Sequence, residues 1–250
     1  MTALSAEFIT LLVLGATAGG FINGLAGTGT ALFALGFFLQ VLPPVTAVAI
    51  VALMSVLAGL QGLWVVRSAM KEKPARLFRF VVPGLVGVPL GILLLQAIDA
   101  ETLRMGIAIL LIVYGAYFSL RTSLPKFERR TPILDGGIGF VGGVLGGAAS
   151  VSGAIPGMWL SLRPWPKAAT RAVLQPYNVA ILSTTVTMLF FRGAYDAAAV
   201  KSLFVVLPVG LLASQIGIYI FKQVSDNTFR RLLIGLTLLM GIGILLQLLF

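Results

Sequence analysis

Two glycine-rich stretches, Gly24-Leu-Ala-Gly-Thr-Gly-Thr30 and Gly142-Gly-Val-Leu-Gly-Gly-Ala-Ala-Ser-Val-Ser-Gly153, each cut a long apolar run in the middle. The runs they interrupt are residues 8–42 and 133–162. Glycine costs roughly 1 kcal/mol relative to alanine inside a helix, so a cluster of it marks a break between two helical arms. What such a break means depends on its solvent. The chain has 250 residues, is 58% apolar with a mean hydropathy of +1.04, and has only 10% charged side chains, where a soluble domain has roughly 25%. The solvent is therefore lipid. Non-helical backbone inside a bilayer leaves unpaired N–H and C=O groups, and it persists only where protein or a wet cavity surrounds it.

Outward from the breaks lie six apolar segments, 45–66, 80–98, 103–120, 169–191, 203–221 and 232–250. Each approaches the roughly 20 residues that cross about 30 Å of hydrocarbon as a helix. The arm 30–42 is shorter and suits a re-entrant hairpin. Lys and Arg collect in cytoplasmic loops. If each broken run enters and leaves on one face, 15 of the 18 basic residues fall on the cytoplasmic side, leaving Arg104, Arg192 and Lys201 outside with both termini periplasmic. Two short full spans in each broken run preserve the same parity, whereas one crossing of each gives 11 inside and 7 outside; eight or more full spans are the alternative fold. The first 24 residues hold no Lys or Arg and one acid, Glu7, so they are expected to belong to the fold and not to a cleaved leader.

The halves repeat. Gly20, Phe21, Gly24 and Gly27 match Gly139, Phe140, Gly143 and Gly146 at a spacing of 119, Pro44 matches Pro166 at 122, and Thr102, Arg104 and Gly115 match Thr228, Arg230 and Gly241 at 126. An odd number of crossings per half inverts one unit relative to the other. The expected fold is all-α and polytopic, with two inverted repeats, 1–121 and 133–250, joined by a cytoplasmic linker, 122–132. Each repeat holds one broken hairpin and three spans.

Inversion brings the two breaks toward mid-bilayer from opposite faces, where the following arms present free N–H groups and the positive ends of their dipoles. An anion is the matching ligand. Gly27, Thr28, Gly29 and Thr30 at one tip and Ser150, Ser152 and Gly153 at the other are candidate contacts. Gln175, Tyr177 and Asn178, around Pro176, add polar groups inside a span, and Asn23 and Arg171 stand nearby. Bland readings stand beside these: small residues as packing contacts, amides as interhelical bonds, and Arg171 snorkelling to the headgroups. The segment Arg163-Pro-Trp-Pro-Lys167 reads as an interfacial turn, and 67–79 as the positive-inside signal.

The sequence contains neither cysteine nor histidine, which excludes disulfides, thiol nucleophiles and His bases. No metal, cofactor or catalytic residue is expected. A net charge of +10 without a polar surface does not point to nucleic acid. Ser150-Val-Ser-Gly153 resembles a rhomboid-type serine motif superficially, but such a serine needs a histidine. No carboxylate lies inside the six spans, so proton coupling has no visible carrier. An uncoupled monovalent anion gains about 2.3 kcal/mol per 100 mV on leaving a negative interior, which favours export.

The motifs Gly20-Phe-Ile-Asn-Gly-Leu-Ala-Gly-Thr-Gly29, Gly139-Phe-Val-Gly-Gly-Val-Leu-Gly-Gly147 and Ala168-Ala-Thr-Arg171 resemble the sulfite exporter TauE/SafE family of membrane permeases over nearly the whole chain. Thr28 and Thr30 depart from the denser glycine run of that family. The resemblance implies outward transport of small sulfur-containing anions, such as sulfite, sulfoacetate and other C2 or C3 sulfonates, across a bacterial inner membrane. Candidate partners are that anion, membrane lipid and a second copy of the chain. An anion channel and a non-transporting scaffold or receptor are the alternatives.

Overall fold

A computed structural model of the chain describes residues 6–97, scattered positions between 105 and 120, and 127–249. The expected span 103–120 lies partly outside the described residues. Among the described residues the elements are all helical: α1 (Ala6–Ala26), α2 (Thr30–Phe38), α3 (Pro44–Glu72), α4 (Pro74–Ala97), α5 (Pro132–Ala149), α6 (Ala154–Ser161), α7 (Lys167–Phe191), α8 (Ala197–Gln223) and α9 (Asp226–Leu249). Six of them, α1, α3, α4, α5, α7 and α8, are long and apolar enough to cross a membrane. The chain is an all-helical polytopic membrane protein.

Local sequence sets the helix starts. Pro44 and Pro132 occupy first-turn positions, where the missing N–H costs nothing. Asp196 caps α8 by accepting from the Ala199 amide at 2.8 Å. Helices α3, α4 and α8 run several residues past the apolar limits read from sequence, because a helix continues into the polar interface as long as its backbone is paired.

Both glycine stretches break the chain. After α1 the backbone turns through Gly27 (φ 82°) and Gly29 (φ 96°), left-handed conformations that glycine adopts without strain. After α5 the same role falls to Ser150 (φ 57°), whose N–H returns to the Gly146 carbonyl. Helix α2 then folds back along α1: a Cβ on Gly19 would lie 2.9 Å from the Thr30 carbonyl oxygen, and one on Gly15 would lie 2.6 Å from the Phe38 ring. The arms are unequal. With 21 residues α1 is about 31 Å long, whereas α2 with 9 and α6 with 8 reach only about 13 and 12 Å. The returning arms α2 and α6 are too short to cross, but the first arms α1 and α5 are each long enough, so the broken runs are not hairpins of two short arms and the alternative of eight full spans stays open.

Close backbone contacts join helices of the first half of the chain to helices of the second. α1 packs on α8, where a Cβ on Gly20 would lie 2.2 Å from the Gly210 oxygen and one on Gly24 2.0 Å from that of Ser214. α5 packs on α4 in the same way, with Gly143 against the Gly84 oxygen at 2.0 Å and Gly147 against that of Val88 at 2.3 Å. A Cβ on Gly217 would lie 2.1 Å from the Phe21 oxygen, and one on Gly91 2.0 Å from that of Val144. These contacts equate Gly20 with Gly143 and Gly24 with Gly147, a spacing of 123, one helical turn away from the 119 of the sequence match. Gly115 lies against Leu238 and Gly241 against Ile112, a reciprocal pair at 126.

Candidate anion site between the helix breaks

The two breaks touch. A Cβ on Gly153 would lie 1.8 Å from Thr28 Oγ1 and 2.5 Å from Thr28 Cβ, so the second break passes directly over the threonine of the first. Asn178, on α7, reaches both: Ser152 Oγ donates to its Oδ1 at 2.5 Å and Thr28 Oγ1 at 3.5 Å. A second chain of bonds adjoins the first. Arg171 Nε donates to Gln175 Oε1 at 2.9 Å, and Gln175 Nε2 donates to the Gly59 carbonyl at 3.1 Å and to Asn23 Oδ1 at 3.4 Å. Asn23 Nδ2 in turn donates to Thr30 Oγ1 at 2.7 Å and to the Ser55 carbonyl at 3.4 Å.

Helical geometry explains why α7 contributes these three side chains. Arg171, Gln175 and Asn178 are spaced four and three apart and share one face, toward the breaks. Tyr177 falls on another face, and its hydroxyl donates to the Gly139 carbonyl at 2.7 Å, beside Phe80 and away from Thr28. Ser150 is also turned away; its hydroxyl lies 3.5 Å from the Val48 carbonyl of α3. Gly27 packs on Gln175, with Oε1 2.8 Å from where a Cβ would stand, and Gly29 caps α2. The structure therefore gathers Asn23, Gly27, Thr28, Gly29, Thr30, Ser152, Gly153, Arg171, Gln175 and Asn178, and leaves Tyr177 and the Ser150 hydroxyl outside.

The electrostatics of this cluster are unusual for a membrane interior. Arg171 is wholly buried, not snorkelling, and among the described residues no carboxylate lies within ion-pair distance of it. Its neighbours are the Phe221 ring, 4.3 Å from the guanidinium carbon, and the Leu25 carbonyl near the end of α1, 3.4 Å from Nη1. Arg171 Nη2 and Asn178 Nδ2 are buried without a partner. Neither α2 nor α6 has a side-chain cap, so the first-turn amides of both start at the junction unsatisfied by side chains. The cavity there, bounded by Thr28, Gly153 and Leu233 among others, is only about 10 Å³. That is about the room a single water needs, so the breaks must part to admit an oxyanion.

Sequence reasoning missed three things. Gly59 and Gly62 of α3 wall the Gln175 amide, and the Ser55 carbonyl of the same helix accepts from Asn23, contacts that no local signal announces. Arg163 is not a simple interfacial residue: it is 3% exposed and bonded at 2.9 Å to Asp135, which also accepts from Trp159 Nε1 at 2.8 Å. Lys167 Nζ closes the end of α8, donating to the carbonyls of Phe221 and Lys222 at 2.8 and 3.2 Å.

A family model described as "Sulfite exporter TauE/SafE" matches residues 11–244. No curated protein and no solved structure matches the chain.

Proposed function

The chain belongs to the sulfite exporter TauE/SafE family, and from that membership we propose that it carries small sulfur oxyanions, sulfite or C2 and C3 sulfonates, outward across a bacterial inner membrane. It is a membrane transporter of that family and not an enzyme. The substrate binds at the junction of the two breaks. Arg171 Nη2 and Asn178 Nδ2 donate to its oxygens, the α2 and α6 amides face it, and Thr28, Ser152 and Gln175 orient the donors. Tyr177 and Ser150 support the helices around it. Two inverted units form the scaffold, 1–121 and 133–250, with both termini periplasmic; the reciprocal contacts at spacings of 123 and 126 support this reading.

The single observation that carries the proposal is Arg171, a wholly buried guanidinium with Nη2 unpaired and, among the described residues, no carboxylate partner, on the helix face that also carries Gln175 and Asn178 to the breaks. An unpaired buried charge costs several kcal/mol, and a bound anion offsets that cost in the loaded state. The test is Arg171→Gln, which keeps a polar group but no charge. Losing a charge-assisted bond of about 1.5–3 kcal/mol corresponds to an affinity loss of about 10- to 150-fold. Sulfite-induced thermal stabilisation of purified protein reads that loss directly. If Arg171 only ties α7 to the end of α1, the variant melts earlier and binds sulfite as before, and the proposal fails.

A further inference from the structure

Two cavities open at the basic end of the bundle, away from the breaks. The larger, about 470 Å³, lies between the α3–α4 junction, the start of α5 and the α6–α7 turn. Six cations line it, against three carboxylates. Asp135 is taken up by Arg163 at 2.9 Å and Arg79 at 3.9 Å. That leaves Arg76, Arg129, Arg130 and Lys73 facing Glu72 and Glu128 alone. Partial burial and then repulsion from Arg130, Arg163 and Arg79 weigh on the Arg76 charge, Glu72 attracts it, and its guanidinium lies over the Trp165 ring with 4.1 Å to the centroid. The second cavity, about 290 Å³, shares Glu72, Lys73, Arg76 and Trp165 with the first and extends to Ala172 and Val173, within one helical turn of Gln175.

Sidedness alone does not require this arrangement. Positive charges spread along exposed loops would orient the chain equally well, whereas gathering them around a concavity makes them repel one another. Such a concavity is favourable when an anion enters it. We infer that this vestibule is a capture site for oxyanions, where sulfite or a small sulfonate is held by Arg76, Arg129 and Arg130 before passing the Arg76–Trp165 stack toward the breaks. The inference rests on the transport reading above and adds a second, separate anion station to it. A cleft with an excess of one sign raises the local concentration of its counter-ion, by about 10- to 1,000-fold in strong cases and less where opposite charges line it too, and the effect fades as salt screens it.

The full-length protein is titrated with sodium sulfite in phosphatidylcholine vesicles while tryptophan fluorescence is read, and the same vesicles are used for flux of radiolabelled sulfite. A saturable fluorescence change is expected. Trp165→Phe abolishes it, and Arg76→Gln with Arg130→Gln weakens sulfite binding and raises the half-saturating flux concentration about threefold to tenfold at low salt, less so above about 0.15 M. Arg192→Gln, at the opposite end of α7, changes neither. Arg171→Gln keeps the fluorescence signal while losing flux, which separates failure at the breaks from failure at the vestibule. Absence of a saturable signal, or a signal unaffected by the double substitution or by salt, overturns the inference. So does a signal that needs phosphatidylglycerol in the vesicles, which assigns the cavity to a lipid phosphate.

Discussion

The contact between the breaks yields a sharp prediction. In Gly153→Ala the new methyl would start 1.8 Å from Thr28 Oγ1, 2.5 Å from Cβ and 2.8 Å from Cγ2. Non-bonded carbon needs about 3.5 Å, so the two breaks must separate by roughly 1.5 Å. Gly153 has φ −91°, which alanine adopts freely, so the whole effect is one of space. Threonine has no long flexible end to swing aside. Overpacking of this kind costs about 1–3 kcal/mol, or about 3–10 °C of melting temperature for a chain of this length. The same separation pulls Ser152 from Asn178 and should reduce sulfite affinity at least tenfold. Melting curves of detergent-purified protein with and without sulfite measure both quantities. Adding Thr28→Gly removes all three clashing atoms and should restore the melting temperature. If Gly153→Ala alone melts and binds like the parent chain, the breaks do not touch as described and the proposed site is wrong.

Other expectations follow from the same geometry. Asn178→Ala and Gln175→Ala should each weaken sulfite binding more than Gln61→Ala, an amide of α3 outside the gathered set, and equal losses in a thermal-shift titration would count against the cluster. Asp135→Ala strands the buried Arg163 and should cost about 3–5 kcal/mol, seen as a lowered melting temperature that Arg163→Met largely recovers. Gly143→Val would drive its side chain into the Gly84 backbone, and a fully stable variant would contradict the α4–α5 contact.

Much of the architecture was legible because the bilayer imposes length on apolar runs. The positions of both breaks could be read from glycine and hydroxyl content alone. Their register could not: glycines recur every three or four residues in both motifs, so alignments one turn apart score alike, and only the Gly20–Gly210 and Gly143–Gly84 contacts separate them. Within the site, Arg171, Gln175 and Asn178 stand out as one helical face, and the same periodicity sets Tyr177 apart. The walls supplied by Ser55, Gly59 and Phe221 were hidden, because those residues become neighbours only when three separate helices cross.

The crossing of α1 with α8 also constrains how the molecule is made. Helix α1 ends at Ala26 and its partner begins at Ala197, so some 170 residues emerge from the ribosome before the groove for Gly20 and Gly24 exists. At about 5–20 residues per second, that wait lasts about 10–30 s. During it, a helix surface stripped of side chains faces lipid or a borrowed neighbour. Assembly therefore finishes late, and a truncation before α8 would leave the earliest-made hairpin without its seat.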